Sequence, residues 1–258
     1  MQYKMAADLL ARLKSVNRNE VYSNAWLTIP SSWTAEIMAR SGFDLCTIDV
    51  QHGLMDYQNG LSMLQAIGNT KALPLIRVHD NAIPNLMKWL DAGALGLILP
   101  MIDEPEQLKQ ALSACYYPPA GNRSHGPTRA AFVTHPDYHH HVSGDLLIFA
   151  QIETASGLEQ VEAIATVPGL KGLYVGPYDL SISIGRPKLA DLSDPVLWSA
   201  LVRIAAAARK NELLLGIHTS DTSRIPDLRA LGFHIFSTGS DSHLLMDSAK
   251  KLDQELRG

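Results

Sequence analysis

A short apolar run followed by an amphipathic stretch of helical length recurs along the whole chain, and glycine marks many of the returns. Three junctions show the unit plainly: ARSGFDLCTID (39–49), LDAGALGLILP (90–100) and RALGFHIFSTG (229–239). In each, a helix-like segment ends near Gly42, Gly93 or Gly232, where a C-terminal cap needs positive φ, and a strand begins within a few residues. Strand-like runs cover 22–29, 44–50, 72–78, 96–101, 146–153, 172–177, 213–218 and 234–241. Helical segments cover 31–41, 57–68, 81–92, 104–116, 156–166, 195–210, 221–231 and 243–256. Ser31, Asp103 and Asp194 with Pro195 are start signals, because a side-chain oxygen caps free N–H groups and proline is tolerated in a first turn. Most of the strand runs are continuously apolar, the pattern of strands packed on both faces.

Eight strands and eight helices in 258 residues predict one (β/α)8 TIM barrel domain over 1–258, with an extra N-terminal helix near 5–14 closing its bottom. An open doubly wound sheet fits less well, since the first strand ends Leu27-Thr28-Ile29-Pro30-Ser31 with no glycine-rich phosphate turn. The long irregular stretch 117–144 reads as a functional loop or lid.

Composition narrows the function classes. Lysine and arginine total 22 against 26 aspartate and glutamate, a net charge of -4 with no block of one sign. Phosphate neutralisation needs clustered cations, so a nucleic-acid binder is not expected. No apolar run approaches the ~20 residues needed to span a bilayer, and the N-terminus alternates charged and apolar residues unlike a secretory signal. Two cysteines in apolar surroundings, Cys46 and Cys115, cannot form a disulfide framework, so a reducing cytoplasm is expected.

In a barrel the chemistry gathers where strands end. One run ends Ile48-Asp49-Val50-Gln51-His52, the next Leu75-Ile76-Arg77-Val78-His79; a later pair ends Gln151-Ile152-Glu153 and continues Gly176-Pro177-Tyr178-Asp179-Leu180-Ser181. Glu153 and Asp179 follow consecutive strands, and a pair of carboxylates with no third protein ligand suits Mg²⁺ or Mn²⁺. The alternatives are that Glu153 caps the next helix and that Asp179 forms a turn with Ser181. Arg77 is the only cation embedded in an apolar run; burying it requires an anion, either an enolate or carboxylate at the mouth or a structural pair with Asp49 or Glu153. His52 with Asp49 has the form of an oriented general base, and a surface histidine in a turn is the other possibility. The His139-His140-His141 run reads as solvated loop; His79, His125 and His218 stay open. Thr219-Ser220 and Gly239-Ser240-Asp241-Ser242 lie where barrels often place a phosphate.

These residues resemble the HpcH/HpaI aldolases, metal-dependent class II pyruvate aldolases, over roughly 25–245. The specific pieces are Gly42-Phe43-Asp44 leading to Ile48-Asp49-x-x-His52, Arg77, Tyr117-Pro118-Pro119-Ala120-Gly121-x-Arg123, Gln151-Ile152-Glu153-Thr154 and Gly176-Pro177-Tyr178-Asp179-Leu180-Ser181. The resemblance implies that Glu153 and Asp179 ligate a divalent ion (Mg²⁺, Mn²⁺ or Co²⁺), that Arg77 stabilises a pyruvate enolate, and that His52 with Asp49 forms the base dyad. It implies further that Gln151 contacts the 2-oxo acid and that backbone N–H groups near Tyr178 and Asp179 take its carboxylate. The implied activity is reversible cleavage of a 4-hydroxy-2-oxo acid to pyruvate and an aldehyde by a homo-oligomer, a hexamer in the family, whose C-terminal helix is exchanged between subunits. Two departures near the mouth bear on the aldehyde: Gln51 stands where the family usually has Glu, and His79-Asp80-Asn81 where it usually has Trp-Asn after the arginine strand. A Schiff-base aldolase needs a lysine at a strand end, and no run carries one. An acyl-CoA lyase of the citrate lyase β-subunit kind and a non-catalytic scaffold are the remaining rivals.

Overall fold

Eight parallel strands close into a barrel in chain order: β1 (Tyr22–Leu27), β2 (Leu45–Asp49), β3 (Leu73–Arg77), β4 (Gly96–Leu99), β5 (Leu147–Ile152), β6 (Gly172–Val175), β7 (Leu214–His218) and β8 (Ile235–Ser237), the last pairing with the first. This is the (β/α)8 TIM barrel expected from the alternation. The computed structural model describes residues 7–14, 20–135 and 137–258. Around the strands run α1 (Ala7–Lys14), α2 (Ser32–Arg40), α3 (Tyr57–Ile67), α4 (Ile83–Asp91), α5 (Pro105–Cys115), α6 (Ala130–Val133), α7 (Tyr138–Asp145), α8 (Ala155–Glu159), α9 (Val161–Ala165), α10 (Pro177–Ser183), α11 (Pro195–Lys210), α12 (Ile225–Leu231) and α13 (Asp241–Arg257). Among the described residues no helix is long and apolar enough to cross a membrane.

The continuous apolar runs divide by the strand period of two. Ile48, Ile76, Leu97, Ile148, Val175 and Ile217 face the helices in one large cluster, while Tyr22, Leu45, Leu73, Leu147, Phe149, Tyr174 and Ile235 fill the barrel interior in another. Leu9 and Leu13 of α1 join the inner cluster, so the N-terminal helix closes the bottom as expected, although residues 5–6 lie outside the described ones. Above that apolar floor is a polar layer: Asn24 Nδ2 donates to Thr47 Oγ1 and Ser237 Oγ, both at 2.9 Å, and the Tyr174 hydroxyl meets Ser237 Oγ at 2.6 Å. The next inward positions up each strand form the mouth.

Gly42, Gly93 and Gly232 have φ of 101°, 95° and 106°, the left-handed conformation that ends their helices. Ser31 caps α2 and Asp194 caps α11 as expected. Asp103 does not cap α5; that position is Glu104, and the Asp103 carboxylate instead accepts a short hydrogen bond from Thr154 Oγ1. The helix expected over 156–166 is two short ones interrupted at Gln160, and a helix not expected from the sequence, α10, starts directly at the end of β6. The stretch 117–144 is not a lid. It joins α5 to β5, and a helix-to-strand connection lies at the N-terminal end of a barrel, away from the chemistry. Val133 reaches from it into the inner cluster, and Arg123 clasps it to the body through Asp91 at 2.6 Å while tying its own two ends together through the Tyr138 hydroxyl at 3.2 Å.

Candidate active site

Strand register builds the first half of the site. Asp49 and Arg77 are direct partners in the β2–β3 ladder, so both side chains emerge at the same height inside the mouth. Arg77 donates from Nε to Asp49 Oδ1 at 2.9 Å and from Nη2 to Oδ2 in a shorter contact, a bidentate charge-assisted pair. Trp26, the inward residue of β1, donates its Nε1 proton to the same carboxylate at 3.1 Å and lays its ring 4.8 Å from the guanidinium carbon. The backbone N–H groups of Gln51 and His52 complete the shell at 3.1 and 3.2 Å. Burial alone would raise the Asp49 carboxyl, but the bonds and charge of Arg77 outweigh it and hold it below the usual carboxylate range. Arg77 therefore takes the structural pair with Asp49, and it keeps Nη1 without a protein partner among the described residues. The His52 imidazole is exposed and makes no hydrogen bond to Asp49; only its backbone does. It still lines the same cavity as Arg77, Gln151 and Asp179.

The second half comes from β5 and β6. Gln151 pairs with Tyr174 and Ile152 with Val175, which sets Glu153 beside Gly176. Glu153 is 2% exposed; its Oε1 accepts from the Met101 N–H at 2.8 Å and its Oε2 from Gln151 Nε2 at 2.5 Å. It does not cap a helix, since Thr154 caps α8 through Gly157 N at 2.9 Å. Burial pushes the Glu153 carboxyl up to about 7, and the negative charge of Asp179 adds to the rise against the Met101 N–H, Arg77 and Gln151. Asp179 sits exposed in the first turn of α10 and makes no turn bond to Ser181, whose hydroxyl donates to the Pro177 carbonyl at 2.6 Å.

A buried carboxylate and an exposed one near enough for its charge to act on the first offer oxygen donors only, matching a hard divalent ion that keeps waters. Two observations fit an ion in that place. Gln151 Oε1 is buried with no partner, and at Gly176 a Cβ would lie 2.6 Å from Glu153 Oε2 and 2.9 Å from Gln151 Nε2, so the backbone is held back to leave the carboxylate room.

Trp26 is not picked out by the sequence, and His218, left open there, takes its place here. His218, the last residue of β7, stands edge-on to Trp26 at 5.0 Å; burial first and Arg77 second push its imidazole down to about 4, so it is neutral at working pH. The cavity they share holds about 160 Å³. No lysine lines it, and Lys71 and Lys171 precede β3 and β6 at the other end of the barrel. The expected phosphate corner is filled by the protein itself: Asp241 accepts from Thr28 N and Oγ1, both at 2.8 Å, from Ser242 N at 2.9 Å and from Ile29 N at 3.2 Å. A carboxylate already holding those donors repels a phosphate.

The family model described as HpcH/HpaI aldolase/citrate lyase matches residues 23–248. A hydroxypyruvate/pyruvate aldolase of Rhizorhabdus wittichii is 31% identical over 232 residues, covering 90% of this chain and 92% of its own. A 2-keto-3-deoxy-L-rhamnonate aldolase of Escherichia coli is 32% identical over 250 residues, covering 93% and 90%. Among solved structures, an HpcH/HpaI aldolase/citrate lyase family protein from Burkholderia cenocepacia superposes with a TM-score of 0.88 at 30% identity, covering 97% of this chain and 99% of that one.

Proposed function

The chain belongs to the HpcH/HpaI aldolase/citrate lyase family, and from that membership we propose that it cleaves a 4-hydroxy-2-oxo acid reversibly to pyruvate and an aldehyde, with a divalent ion, Mg²⁺, Mn²⁺ or Co²⁺, held by Glu153 and Asp179. It is a carbon–carbon lyase of the aldolase type. The observation that carries the finer reading is the meeting of two unlike charge centres at one small cavity. Arg77, clamped by Asp49 and Trp26, lines it together with Asp179 and Gln151, and Glu153 lies buried behind Gln151, which donates to its carboxylate.

When bound, the ion supplies positive charge that polarises the 2-oxo group. Arg77, already oriented, turns its Nη1 toward the oxygen where negative charge develops, so no reorganisation is needed as the bond breaks. The Gln151 amide contacts the 2-oxo acid, and the first-turn N–H groups of Tyr178 and Asp179, which have no intrahelical acceptors, take its carboxylate. His52 removes the 4-hydroxyl proton; the C3–C4 bond breaks, its electron pair passes into the enolate, and the aldehyde leaves. Protonation at C3 yields pyruvate. The aldehyde portion extends from this cavity toward the exposed His52 and Tyr178.

The remaining parts of this reading are that the chain acts as one barrel domain over 1–258, as a homo-oligomer, in a reducing cytoplasm where Cys46 and Cys115 remain free and buried. The test is pyruvate release across a panel of 4-hydroxy-2-oxo acids with and without added metal. Chelation should abolish it and Mg²⁺, Mn²⁺ or Co²⁺ restore it. Full activity of Glu153→Ala after exhaustive chelation would overturn the metal assignment.

A further inference from the structure

Five of the chain's ten histidines fall within 125–141, in a segment that the proposed reaction does not use. There the structure draws three side chains to a point. The Nδ1 atoms of His139 and His140 lie 3.4 and 3.8 Å from the same oxygen of Asp137, and the candidate ligand atoms of all three residues lie within 4.8 Å of one another. We propose that Asp137, His139 and His140 form a second metal site, for a nitrogen-seeking divalent ion of the Zn²⁺ class, at the start of α7.

The distances suit it. Zinc bonds nitrogen at about 2.0–2.1 Å and carboxylate oxygen at about 2.0–2.2 Å, which puts tetrahedral ligands roughly 3.3–3.5 Å apart. The two Nδ1-to-oxygen separations therefore need little change. The side chains are about half exposed, at 48%, 56% and 53%, so rotamer adjustment disturbs no packing. The backbone between them is fixed beforehand: Tyr138, the residue separating Asp137 from His139, is buried and held by Arg123, and the Asp137 N–H donates to His135 Nδ1 at 3.0 Å. An ordinary ion pair needs one imidazole. Here the two ring centroids are 3.8 Å apart, where two protonated rings would repel, whereas one cation uses both lone pairs and the carboxylate. The His125 ring, 5.8 Å from that of His139, and water are the available further ligands.

This site differs in kind and place from Glu153 and Asp179. Imidazole nitrogen selects Zn²⁺, Ni²⁺ or Cu²⁺, while an oxygen-only pair suits Mg²⁺ or Mn²⁺. It lies on the helix-to-strand connection at the N-terminal end of the barrel, so its occupancy bears on the anchoring of that connection and not on the chemistry.

The experiment is Zn²⁺ uptake by the untagged, full-length protein in equilibrium dialysis at micromolar free metal with excess Mg²⁺. Wild type, His139→Ala/His140→Ala and Glu153→Gln/Asp179→Asn are compared, with melting temperature read on each. The imidazole variant should lose one Zn²⁺ equivalent and the Zn²⁺-induced rise in melting temperature, and keep Mg²⁺-supported pyruvate release. The carboxylate variant should retain that equivalent. Unchanged zinc stoichiometry in the imidazole variant, or zinc lost only with Glu153 and Asp179, would overturn the site while leaving the aldolase reading untouched.

Discussion

Asp49 spends both its carboxylate oxygens on Arg77, Trp26 and two backbone N–H groups, so its bond to His52 is to the main chain and not to the imidazole. The two roles can be separated with oxaloacetate, whose decarboxylation yields the same pyruvate enolate but removes no hydroxyl proton. His52→Ala should lower aldol cleavage by ~10²-fold or more, the usual general-base contribution, and leave decarboxylation far less affected. Arg77→Ala is the wrong probe, because stripping one partner from a buried pair costs about 3–5 kcal/mol, a large part of a domain's stability. Arg77→Lys keeps the charge and loses the bidentate fork; it should depress both reactions by about 10² to 10³, like the loss of an oxyanion donor. Equal losses of both activities in His52→Ala, with fold and metal binding intact, would show that His52 is not the base. Glu153 gives a pH prediction with a definite sign. Its folded carboxyl sits at about 7, above its unfolded value, so in the metal-free protein its contribution favours folding at low pH and fades as pH rises to about 7. Metal requires the ionised form. Apparent Mn²⁺ affinity should thus fall by about tenfold per unit as pH drops below about 7, and a flat Mn²⁺ affinity across that range would refute the assignment. His218, neutral with a value of about 4, should add no limb to the activity profile near neutrality, and His218→Asn should keep the wild-type pH profile.

The junction of β6 with α10 puts two functional residues, Gly176 and Asp179, within one turn. Gly176 has φ of -98°, which any residue adopts, so its need for glycine is one of space and not of backbone strain. Gly176→Ala would bring a methyl within 2.6 Å of Glu153 Oε2, closer than real Cβ contacts allow, and push the carboxylate from its place. Metal affinity and pyruvate release should fall together while melting temperature stays near wild type; normal metal affinity in this variant would show that Glu153 does not ligate. The strands were legible because burial on both faces leaves continuous apolar runs, and the glycine caps because φ near 100° at Gly42, Gly93 and Gly232 admits little else. Arg77, Asp49, Glu153 and Asp179 were legible as polar residues at the ends of such runs. α10 was not, since Pro177 ends a strand as readily as it opens a helix. Trp26 was hidden in apolar surroundings and the role of His218 stayed open, because only closure of the barrel and its register decide which alternate residues face inward. The stretch 117–144 looked functional by length alone, and its place in the strand–helix order, between α5 and β5, assigns it to the far end.

Seen as a whole molecule, the barrel leaves one element without a place to pack. Of the residues of α13 only Asp241 is buried, and that carboxylate fastens the helix start to Thr28 and Ile29 of the loop after β1. Beyond it, Leu245, Ala249, Leu252 and Leu256 fall at spacings of three and four and so share one face; the three leucines are 65%, 57% and 77% exposed. A contiguous apolar stripe of this kind is the surface that the helix exchange implied by the resemblance would cover. The charged residues of the same helix do not compete for that face: Arg257 pairs with Asp253 at 2.8 Å and Lys251 with Glu255 at 4.0 Å along the other sides. Leu245→Asp with Leu252→Asp places two carboxylates in the stripe without touching the barrel core or the Asp241 anchor. Light scattering after size exclusion should then show the wild type as an oligomer and the variant as a monomer, with circular dichroism of the barrel unchanged. A wild type that runs as a monomer at working concentration, or a variant whose mass does not change, would mean that α13 is not the exchanged element.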